Sequence, residues 1–352
     1  MKSKICTVLF LPILLAGCVT GTVLETQNTV IGDGSVDNRI DSFEDVIING
    51  CVEKISIQSD DIADSPLLLY LHGGPGSSMF MYSHVYNDKL RKNFIFVNWD
   101  QRGTAFSYHE GMTKNISEDA IRDDTLELTK YLIKRFKKQK IYVLGHSFGS
   151  VIGLQLVANH PEYYFAYIGV GQVINYKYKE SVEITYKWLH ETLVKAGDYK
   201  NLERIEKDHF PYIDIVTMYG GHHNPAIDLD SLKKTSPYYF DGYFDLAKKS
   251  QAYTMECMAK NKNFKSIFNK PLSKIDVPLY FFEGVNDHVI ACAPETVVEY
   301  CKTVRAPDVK IIWFENSAHM INVEEPEKFQ EELIKVKQET SQGTNVSQKS
   351  AF

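Results

Sequence analysis

The chain has 352 residues, of which 44% are hydrophobic, so it can bury a sizeable core in two domains or in one large domain with an insertion. Its formal net charge of −6 argues against the basic surface by which a protein neutralises nucleic-acid phosphates. We therefore expect no nucleic-acid partner.

The N-terminal segment has the layout of an export signal. Lys2 and Lys4 precede an apolar run over 5–15 that is too short to span a bilayer comfortably. The run leads into Leu-Ala-Gly-Cys, which ends at Cys18 and resembles the lipobox of bacterial lipoproteins, where the cysteine is acylated. We predict a lipoprotein signal peptide over 1–17 and a lipid anchor at Cys18 that holds the exported protein to a membrane of the bacterial cell envelope. A plain signal peptide or an uncleaved anchor is the alternative.

The remaining cysteines show no metal-binding pattern. Cys51, Cys257, Cys292 and Cys301 have neither CxxC spacing nor a matching histidine pair, so we predict no zinc site. Cys292 and Cys301 are the nearest pair, and the sequence leaves open whether they form a disulfide.

The first half of the chain alternates strands with helices or long loops. A polar segment over 18–41 predicts a tether. Residues 51–57 alternate as a half-buried strand does, and 118–136 place apolar residues on one face of a helix. Continuous apolar runs, which are typical of strands covered on both faces, lie at 66–71, 94–97, 140–145 and 167–170. We assign 42–171 to the first part of an α/β core.

This alternation stops at about residue 172. Residues 172–268 are rich in charge and tyrosine and include helical pieces such as 179–195. The segment enters after a strand, where a parallel sheet presents its ligand-binding edge, and we therefore predict a helical cap.

The core resumes after the insertion, over 269–339. Two buried-type strands lie at 278–282 and 309–314, and an amphipathic helix from about 324 to 337 closes the domain. Residues 340–352 are predicted to be a flexible tail. The fold class is therefore α/β, with a mostly parallel central sheet covered by helices on both faces and interrupted by the cap.

Ser147 stands in the sequence Gly-His-Ser-Phe-Gly, between a predicted strand and a predicted helix. This context is that of a nucleophile elbow, in which Gly145 and Gly149 allow strand and helix to approach closely. A serine hydroxyl is a weak nucleophile at neutral pH and needs a base to remove its proton. We predict that Ser147 is a nucleophile; an ordinary turn serine is the alternative.

Two later loops supply the base and the acid. Asp287 follows the strand at 278–282, and His319 follows the strand at 309–314, in the order Ser, Asp, His. His319 would remove the proton from Ser147, and Asp287 would hold the imidazole in the required tautomer.

Neighbouring titratable residues suit these roles less well. Asp276 precedes its strand and would lie at the wrong end of the sheet, and Glu283 lies closer to the strand and is less exposed. His288 adjoins Asp287 and is interpreted as a local structural partner. His146 is expected to point away from the nucleophile and to support the turn.

Backbone N–H groups are expected to stabilise the oxyanion that forms when serine attacks a carbonyl. One donor is the N–H of Phe148, and the second should come from the glycine-rich turn at 72–76. We assign Gly74 as the second donor and Gly73 as the reserve. An ordinary Gly-Pro turn is the alternative.

Three stretches resemble a known family: HGGPG at 72–76, WDQRG at 99–103 and GHSFG at 145–149. On these motifs the chain from about 50 to 335 resembles the α/β-hydrolases and, among them, the proline iminopeptidases. The resemblance implies a Ser147–Asp287–His319 triad, a helical cap, and no metal or organic cofactor. It also implies release of an N-terminal residue, usually proline, from short peptides or amino-acid amides. Asp100 and Arg102 are interpreted as braces for loops around the site.

The cap departs from that family. Proline iminopeptidases often carry Trp-x-x-Trp-Glu early in the cap, and its acid helps to bind the substrate ammonium. Here Trp188 and Glu191 match the pattern in neither register. A buried ammonium needs a carboxylate partner, so Trp188 and Glu191, with Gly73, are weak candidates for substrate binding. Further candidate acids, each also interpretable as part of a solvated helix face, are Glu180, Glu183 and Glu203.

These observations favour an exported serine hydrolase of the proline iminopeptidase type that acts on short peptides or other small acyl substrates. A carboxylesterase or amidase with the same triad is an alternative, because one fold hosts many substrates. A non-catalytic surface binding protein on a hydrolase scaffold is an alternative of another class. The sequence makes no prediction about the oligomeric state.

Overall fold

The computed structural model describes residues 38–112, 114–260 and 271–349. The predicted signal peptide, Cys18 and most of the predicted tether lie outside these ranges, and so does the end of the predicted cap. No helix within the described ranges has both the length and the apolar character that a membrane span requires.

The core is an eight-stranded sheet in the order β1-β2-β4-β3-β5-β6-β7-β8. The first two strands are antiparallel to their neighbours, and the pairs from β4 to β8 are all parallel. The strands are β1 (Ile40–Ile48), β2 (Cys51–Ser59), β3 (Leu67–Leu71), β4 (Ile95–Asp100), β5 (Ile141–His146), β6 (Tyr164–Val170), β7 (Leu279–Gly284) and β8 (Val309–Phe314).

The central strands are apolar throughout because each face of the sheet carries its own core. In β3, Leu67 and Leu69 belong to one hydrophobic cluster, whereas Leu68 and Tyr70 belong to the other. Successive side chains of a strand point to opposite faces, so a strand covered on both sides has no solvent-facing position.

Helices cover the sheet and fill the insertion between β6 and β7. The helices of the core are α1 (Ser83–Tyr86), α2 (Leu90–Asn93), α3 (Glu118–Phe136), α4 (Phe148–Asn159), α10 (Pro294–Cys301), α11 (Ile321–Glu324) and α12 (Pro326–Lys349). Those of the insertion are α5 (Tyr178–Ala196), α6 (Tyr199–Asp208), α7 (Ile213–Met218), α8 (Leu229–Lys234) and α9 (Tyr243–Lys260). The helix predicted over 118–136 is α3, which begins after Ser117, whose hydroxyl accepts a hydrogen bond from the N–H of Ala120.

The structure differs from the sequence prediction at both ends of the core. β1 begins at Ile40, inside the predicted tether, and pairs with β2 along its whole length. The closing helix continues past the predicted end at 337 to Lys349, through residues predicted to be a flexible tail. Beyond 337 the helix makes polar contacts with the sheet: the hydroxyls of Thr340 and Tyr142 are hydrogen-bonded at 2.6 Å, and the hydroxyl of Tyr280 donates to Oε2 of Glu339 at 3.0 Å.

The four cysteines downstream of Cys18 are free thiols. Cys257 and Cys292 are buried, and Cys51 and Cys301 are half-buried. Cys292 and Cys301, the pair that the sequence left open, therefore form no disulfide in this structure.

Candidate active site

Ser147 occupies a strained turn between β5 and α4. Its backbone torsions are φ 54° and ψ −122°, a conformation that residues other than glycine rarely adopt. The N–H of Ser147 donates to the carbonyl of Val170 at the end of β6, at 2.9 Å. The parallel sheet thus holds the strained residue at its carboxyl edge.

The two glycines of the motif are required because other backbone segments lie against them. A Cβ atom on Gly149 would lie 2.6 Å from the carbonyl oxygen of His72, and one on Gly145 would lie 2.5 Å from the carbonyl oxygen of Gly149. Both distances are shorter than any ordinary non-bonded contact. These positions accept only glycine unless the turn moves.

Ser150 braces the same turn, although nothing in the sequence pattern identified it. Its hydroxyl donates to the carbonyl of Ser147 at 2.5 Å and accepts from the N–H of Val173 at 3.0 Å. The carbonyl of Ser150 in turn accepts from the hydroxyl of Tyr167 at 2.9 Å. This buried serine therefore ties the start of α4 to β6 and to the loop that follows it.

Asp287 and His319 meet in the loops after β7 and β8. Nδ1 of His319 donates to Oδ2 of Asp287 at 2.7 Å, and Oδ1 of Asp287 accepts from the N–H of Val289 at 2.9 Å. With the Nδ1 proton committed to the carboxylate, Nε2 is the nitrogen that can accept a proton. Burial lowers the pKa of His319, which keeps the imidazole neutral and able to act as a base.

The nucleophile lies beside this pair. His146, which precedes Ser147, donates from Nε2 to the carbonyl of His319 at 3.0 Å, and the centroids of the two histidine rings are 4.7 Å apart. Among the described residues, the Ser147 hydroxyl makes no hydrogen bond with the His319 ring, and Cys292 lies close to the Ser147 side chain. For proton transfer, the hydroxyl has to come within hydrogen-bond reach of Nε2 of His319.

The glycine-rich turn lies over the nucleophile. A Cβ atom on Gly73 would lie 2.7 Å from Cβ and 3.3 Å from Oγ of Ser147, so Gly73 is in close contact with the serine. Gly74 is exposed and has φ +112°. Phe148 is the first residue of α4, where a helix leaves its N–H groups without intrahelical acceptors. The assignment of the oxyanion donors to Gly74 and Phe148 stays a prediction.

The HGGPG and DQRG motifs are joined through His72. Its Nδ1 donates to the carbonyl of Gly73 at 2.9 Å, and its Nε2 accepts from the N–H of Gln101 at 3.1 Å. Burial lowers the pKa of His72 to about 4, so the ring is neutral and can accept at Nε2. The two motifs therefore form one rigid support beneath the predicted oxyanion donors.

Asp100 and Arg102 face the protein interior. Arg102 forms a buried ion pair with Asp124, and its Nη1 donates to the carbonyl of Asn115 at 2.9 Å. Oδ2 of Asp100 accepts from the N–H of Phe106 at 3.0 Å. These contacts agree with their interpretation as braces of the surrounding loops.

Helix α9 of the insertion packs onto the loops that carry the HGGPG and DQRG motifs. The sequence did not predict this contact. Thr254 donates from its hydroxyl to the carbonyl of Gly103 at 3.0 Å, and Gln251 donates from Nε2 to the hydroxyl of Ser77 at 2.9 Å. These bonds fix the last described helix of the insertion to the glycine-rich turn and to the end of the DQRG motif.

The weak substrate-binding candidates of the cap are Trp188, which lies beside the Asp287 loop, and glutamates that are exposed. Trp188 stacks on His288 with the ring centroids 4.0 Å apart, next to the Asp287 loop. Glu191 is exposed on α5. The other three glutamates are exposed as well, and two of them have local partners: Glu180 with Lys177 at 2.7 Å and Glu183 with His209 at 3.2 Å. The structure therefore brings none of these four carboxylates to the nucleophile.

The sequence of the chain is similar to those of known hydrolases. Residues 65–234 match the family described as "Serine aminopeptidase, S33". The Bacillus subtilis protein named "Probable aminopeptidase YbaC" is 28% identical over 310 residues, which cover 82% of this chain and 93% of that protein. The proline iminopeptidase of Saccharolobus solfataricus is 25% identical over 279 residues, which cover 75% of this chain and 82% of that protein.

Solved structures share the architecture at low identity. The proline iminopeptidase of Mycobacterium smegmatis superposes with a TM-score of 0.62 at 16% identity and covers 86% of this chain and 100% of its own. VinJ superposes with a TM-score of 0.58 at 18% identity and covers 84% of this chain and 97% of its own. The chain is therefore an α/β-hydrolase in fold, and its residues 65–234 match the serine aminopeptidase family.

Proposed function

We propose that this chain is a serine hydrolase that releases an N-terminal residue, with proline favoured, from short peptides through an acyl-enzyme. The observation that carries the proposal is the 2.7 Å hydrogen bond between Asp287 and His319 beside the strained backbone of Ser147. The similarity to an aminopeptidase and to a proline iminopeptidase over most of the chain supports the choice of substrate.

The proposed reaction assigns its steps to four groups of the site. Nε2 of His319 removes the proton from Ser147 as its oxygen attacks the scissile carbonyl, and the N–H groups of Phe148 and Gly74 stabilise the oxyanion. His319 then gives the proton to the leaving amine, which breaks the amide bond. Water attacks the acyl-enzyme with His319 again as the base, and the proton returns to Ser147 as the acid product leaves. Asp287 keeps the proton of His319 on Nδ1 throughout.

A fluorophosphonate probe tests the nucleophile directly. We expect stoichiometric labelling of the native protein and none of Ser147→Ala. Ser231→Ala, which removes an exposed serine of the insertion, should label as the native protein does. An unlabelled native protein would favour the non-catalytic binding protein, and labelling that survives Ser147→Ala would place the nucleophile elsewhere.

A matched substrate panel tests the specificity. We expect faster turnover of a prolyl amide with a free amino group than of the same amide blocked by acetylation. Faster cleavage of the blocked compound would contradict the aminopeptidase assignment, because such an enzyme binds the substrate ammonium.

A carboxylesterase or amidase is the second candidate, and the wall beside the nucleophile favours it. Cys292, which contacts Ser147, packs in a buried cluster with Val151 and Val173, and Val289 and Ala291 extend the cluster. Apolar side chains suit an uncharged acyl group better than an ammonium. A higher kcat/KM for p-nitrophenyl butyrate than for the p-nitrophenyl ester of proline, which has the same leaving group, would support this candidate.

A further inference from the structure

The loop that carries His319 is held by the carboxylate of Glu324, the last residue of α11. Oε2 of Glu324 accepts from the N–H of Ala318 at 3.1 Å and from the N–H of Met320 at 3.0 Å. One carboxylate oxygen therefore binds the backbone on both sides of His319. Hydrogen bonds to a charged acceptor are among the stronger ones in proteins.

The backbone of His319 itself is held from the other side. Its N–H donates to the carbonyl of His222 in the insertion at 3.0 Å. Three successive N–H groups, from 318 to 320, are thus bound by partners outside the loop. All three residues are buried, so the loss of an acceptor would leave a buried donor unpaired.

Glu324 also reaches the insertion. Its Oε1 accepts from the N–H of Asn224 at 2.8 Å, two residues after the carbonyl that holds His319. In the same segment of the insertion, the carbonyl of Gly221 accepts from the N–H of His288 at 2.9 Å. His288 lies in the loop of Asp287. The segment 221–224 therefore joins both loops of the acid–base pair, and Glu324 is the side chain that closes this network.

We propose that Glu324 is a positioning residue for His319, and that its bond to Asn224 makes the segment 221–224 part of the same support. The proposal rests on the proposed function, because it assigns His319 the role of the base. Glu324 acts through the backbone of His319, since its carboxylate oxygens accept from the N–H groups of 224, 318 and 320. A catalytic group that is displaced by about 1 Å can lose about 10²-fold in rate, so a device that fixes this loop affects turnover directly.

The substitution Glu324→Gln tests the proposal with little change in shape. The amide offers one oxygen where the carboxylate offers two, and its NH2 group faces N–H donors. We expect kcat, and the rate of fluorophosphonate labelling, to fall by at least about 10-fold, with KM within about 2-fold of the native value. Glu324→Asp keeps the charge on a shorter side chain and should recover part of the loss.

Glu325→Gln is the matched control. Oε2 of Glu325 accepts from the N–H of Asn316 at 3.0 Å and from the hydroxyl of Ser317 at 2.7 Å, at the start of the same loop, without flanking His319. We expect this variant to keep kcat within about 3-fold. Equal losses of kcat in both Gln variants would show a general structural role for the loop and would overturn the proposal.

The labelling assay separates this proposal from the proposed function. If the native protein is not labelled, the serine hydrolase assignment fails. If the native protein is labelled and Glu324→Gln is labelled at the native rate, the assignment stands and the positioning role fails. If Glu324→Gln does not fold, native kcat in a folded Glu324→Asp variant likewise overturns the role, since the shorter side chain cannot keep all three bonds.

Discussion

Gly171 lies directly against the imidazole of His319. A Cβ atom at this position would lie 2.7 Å from Nδ1 and 2.8 Å from Cε1 of the ring, and 3.1 Å from Oδ2 of Asp287. The N–H of Gly171 donates to the carbonyl of Phe282 at 3.1 Å, which fixes the glycine on the sheet. The acid and the base therefore remain in contact only because this residue has no side chain.

The substitution Gly171→Ala should separate the acid–base pair. We expect kcat/KM to fall by about 10²-fold, because the methyl group must displace the imidazole, the carboxylate or the strand. Gly197→Ala is the control, since Gly197 has a similar positive φ of +68° but no atom within 4 Å of the added Cβ. Kinetic assays and urea unfolding of both variants check this; equal activity in the two would contradict it.

The substitution Asp287→Asn should cost about 10⁴-fold in kcat, because the amide no longer fixes the required tautomer of His319. Glu283 is the nearest rival acid. Burial, followed by the charge of Asp287, raises its pKa well above the ordinary range, which disfavours the ionised carboxylate that the acid of a triad must supply. Glu283→Gln should therefore keep kcat within about 3-fold. A large loss of kcat in Glu283→Gln with near-native kcat in Asp287→Asn would move the acid to Glu283.

The acid limb of the profile of kcat/KM against pH should have its midpoint below the ordinary pKa of histidine. Burial lowers the pKa of His319 to about 4 and raises that of Asp287 to about 7. Because the 2.7 Å bond from Nδ1 favours the ionised carboxylate, we assign the acid limb to protonation of His319, so activity should be lost only below pH 6.5. His222, whose ring centroid lies 5.7 Å from that of His319, is also kept neutral, since burial lowers its pKa to about 3. We expect kcat/KM measured from pH 4 to 8 to reach half its maximum below pH 6. A midpoint at or above 6.5 would be inconsistent with a desolvated base.

Asp100 should make the native state less stable as the pH rises from about 4 to 8. Burial raises the pKa of Asp100 to about 8, against weaker opposing hydrogen bonds from Ser78 and Phe106. The unfolded chain loses this proton near pH 4, so ionisation disfavours folding as the pH rises from about 4 to 8. Asp100→Asn should therefore gain stability relative to the native protein over that range, by up to about 1.4 kcal/mol per pH unit.

Urea unfolding of both proteins at pH 5 and pH 8 measures that difference. The difference between their free energies of unfolding should be larger at pH 8. A difference that is the same at both pH values would show that Asp100 is ionised throughout.

Acylation of Cys18 is a prediction from the sequence, since this residue lies outside the described ranges. We expect mass spectrometry of the mature protein from bacterial membranes to find a lipid-modified N-terminal cysteine at 18. Cys18→Ala should move the protein from the membrane fraction to the soluble fraction. An unmodified N-terminus at another residue would refute the lipid anchor.

The acid–base pair could be found from sequence because strand order dictates where loops meet. Asp287 and His319 each follow an apolar run, and the carboxyl ends of parallel strands share one edge of a sheet. Their side chains are in contact across 32 positions. The contact of Gly73 with Ser147 follows from the same rule, because β3 and β5 are neighbours.

Contacts made by the insertion could not be found in this way. Two N–H donors of Glu324, at 318 and 320, are local, but the third comes from Asn224, 100 positions away, and no periodic pattern links residues so far apart. Helix α5 buries a stripe that includes Ser181 and Thr185, so apolar periodicity does not show which face of the helix is covered. Glu191 was therefore a candidate from its residue type alone, and the packing of α5 leaves it in solvent.

The hydrogen bond from Asn224 to Glu324 bears on the transplantation of insertions between proteins of this fold. A foreign insertion would bring its own substrate contacts. It would lack the hydrogen bonds that the carbonyls of 221 and 222 and the N–H of 224 make to the loops of Asp287 and His319 and to Glu324. Such a chimera should lose turnover before it loses affinity. A graft that retains residues 221–224 of the recipient would keep the imidazole of His319 in place while the rest of the insertion is exchanged.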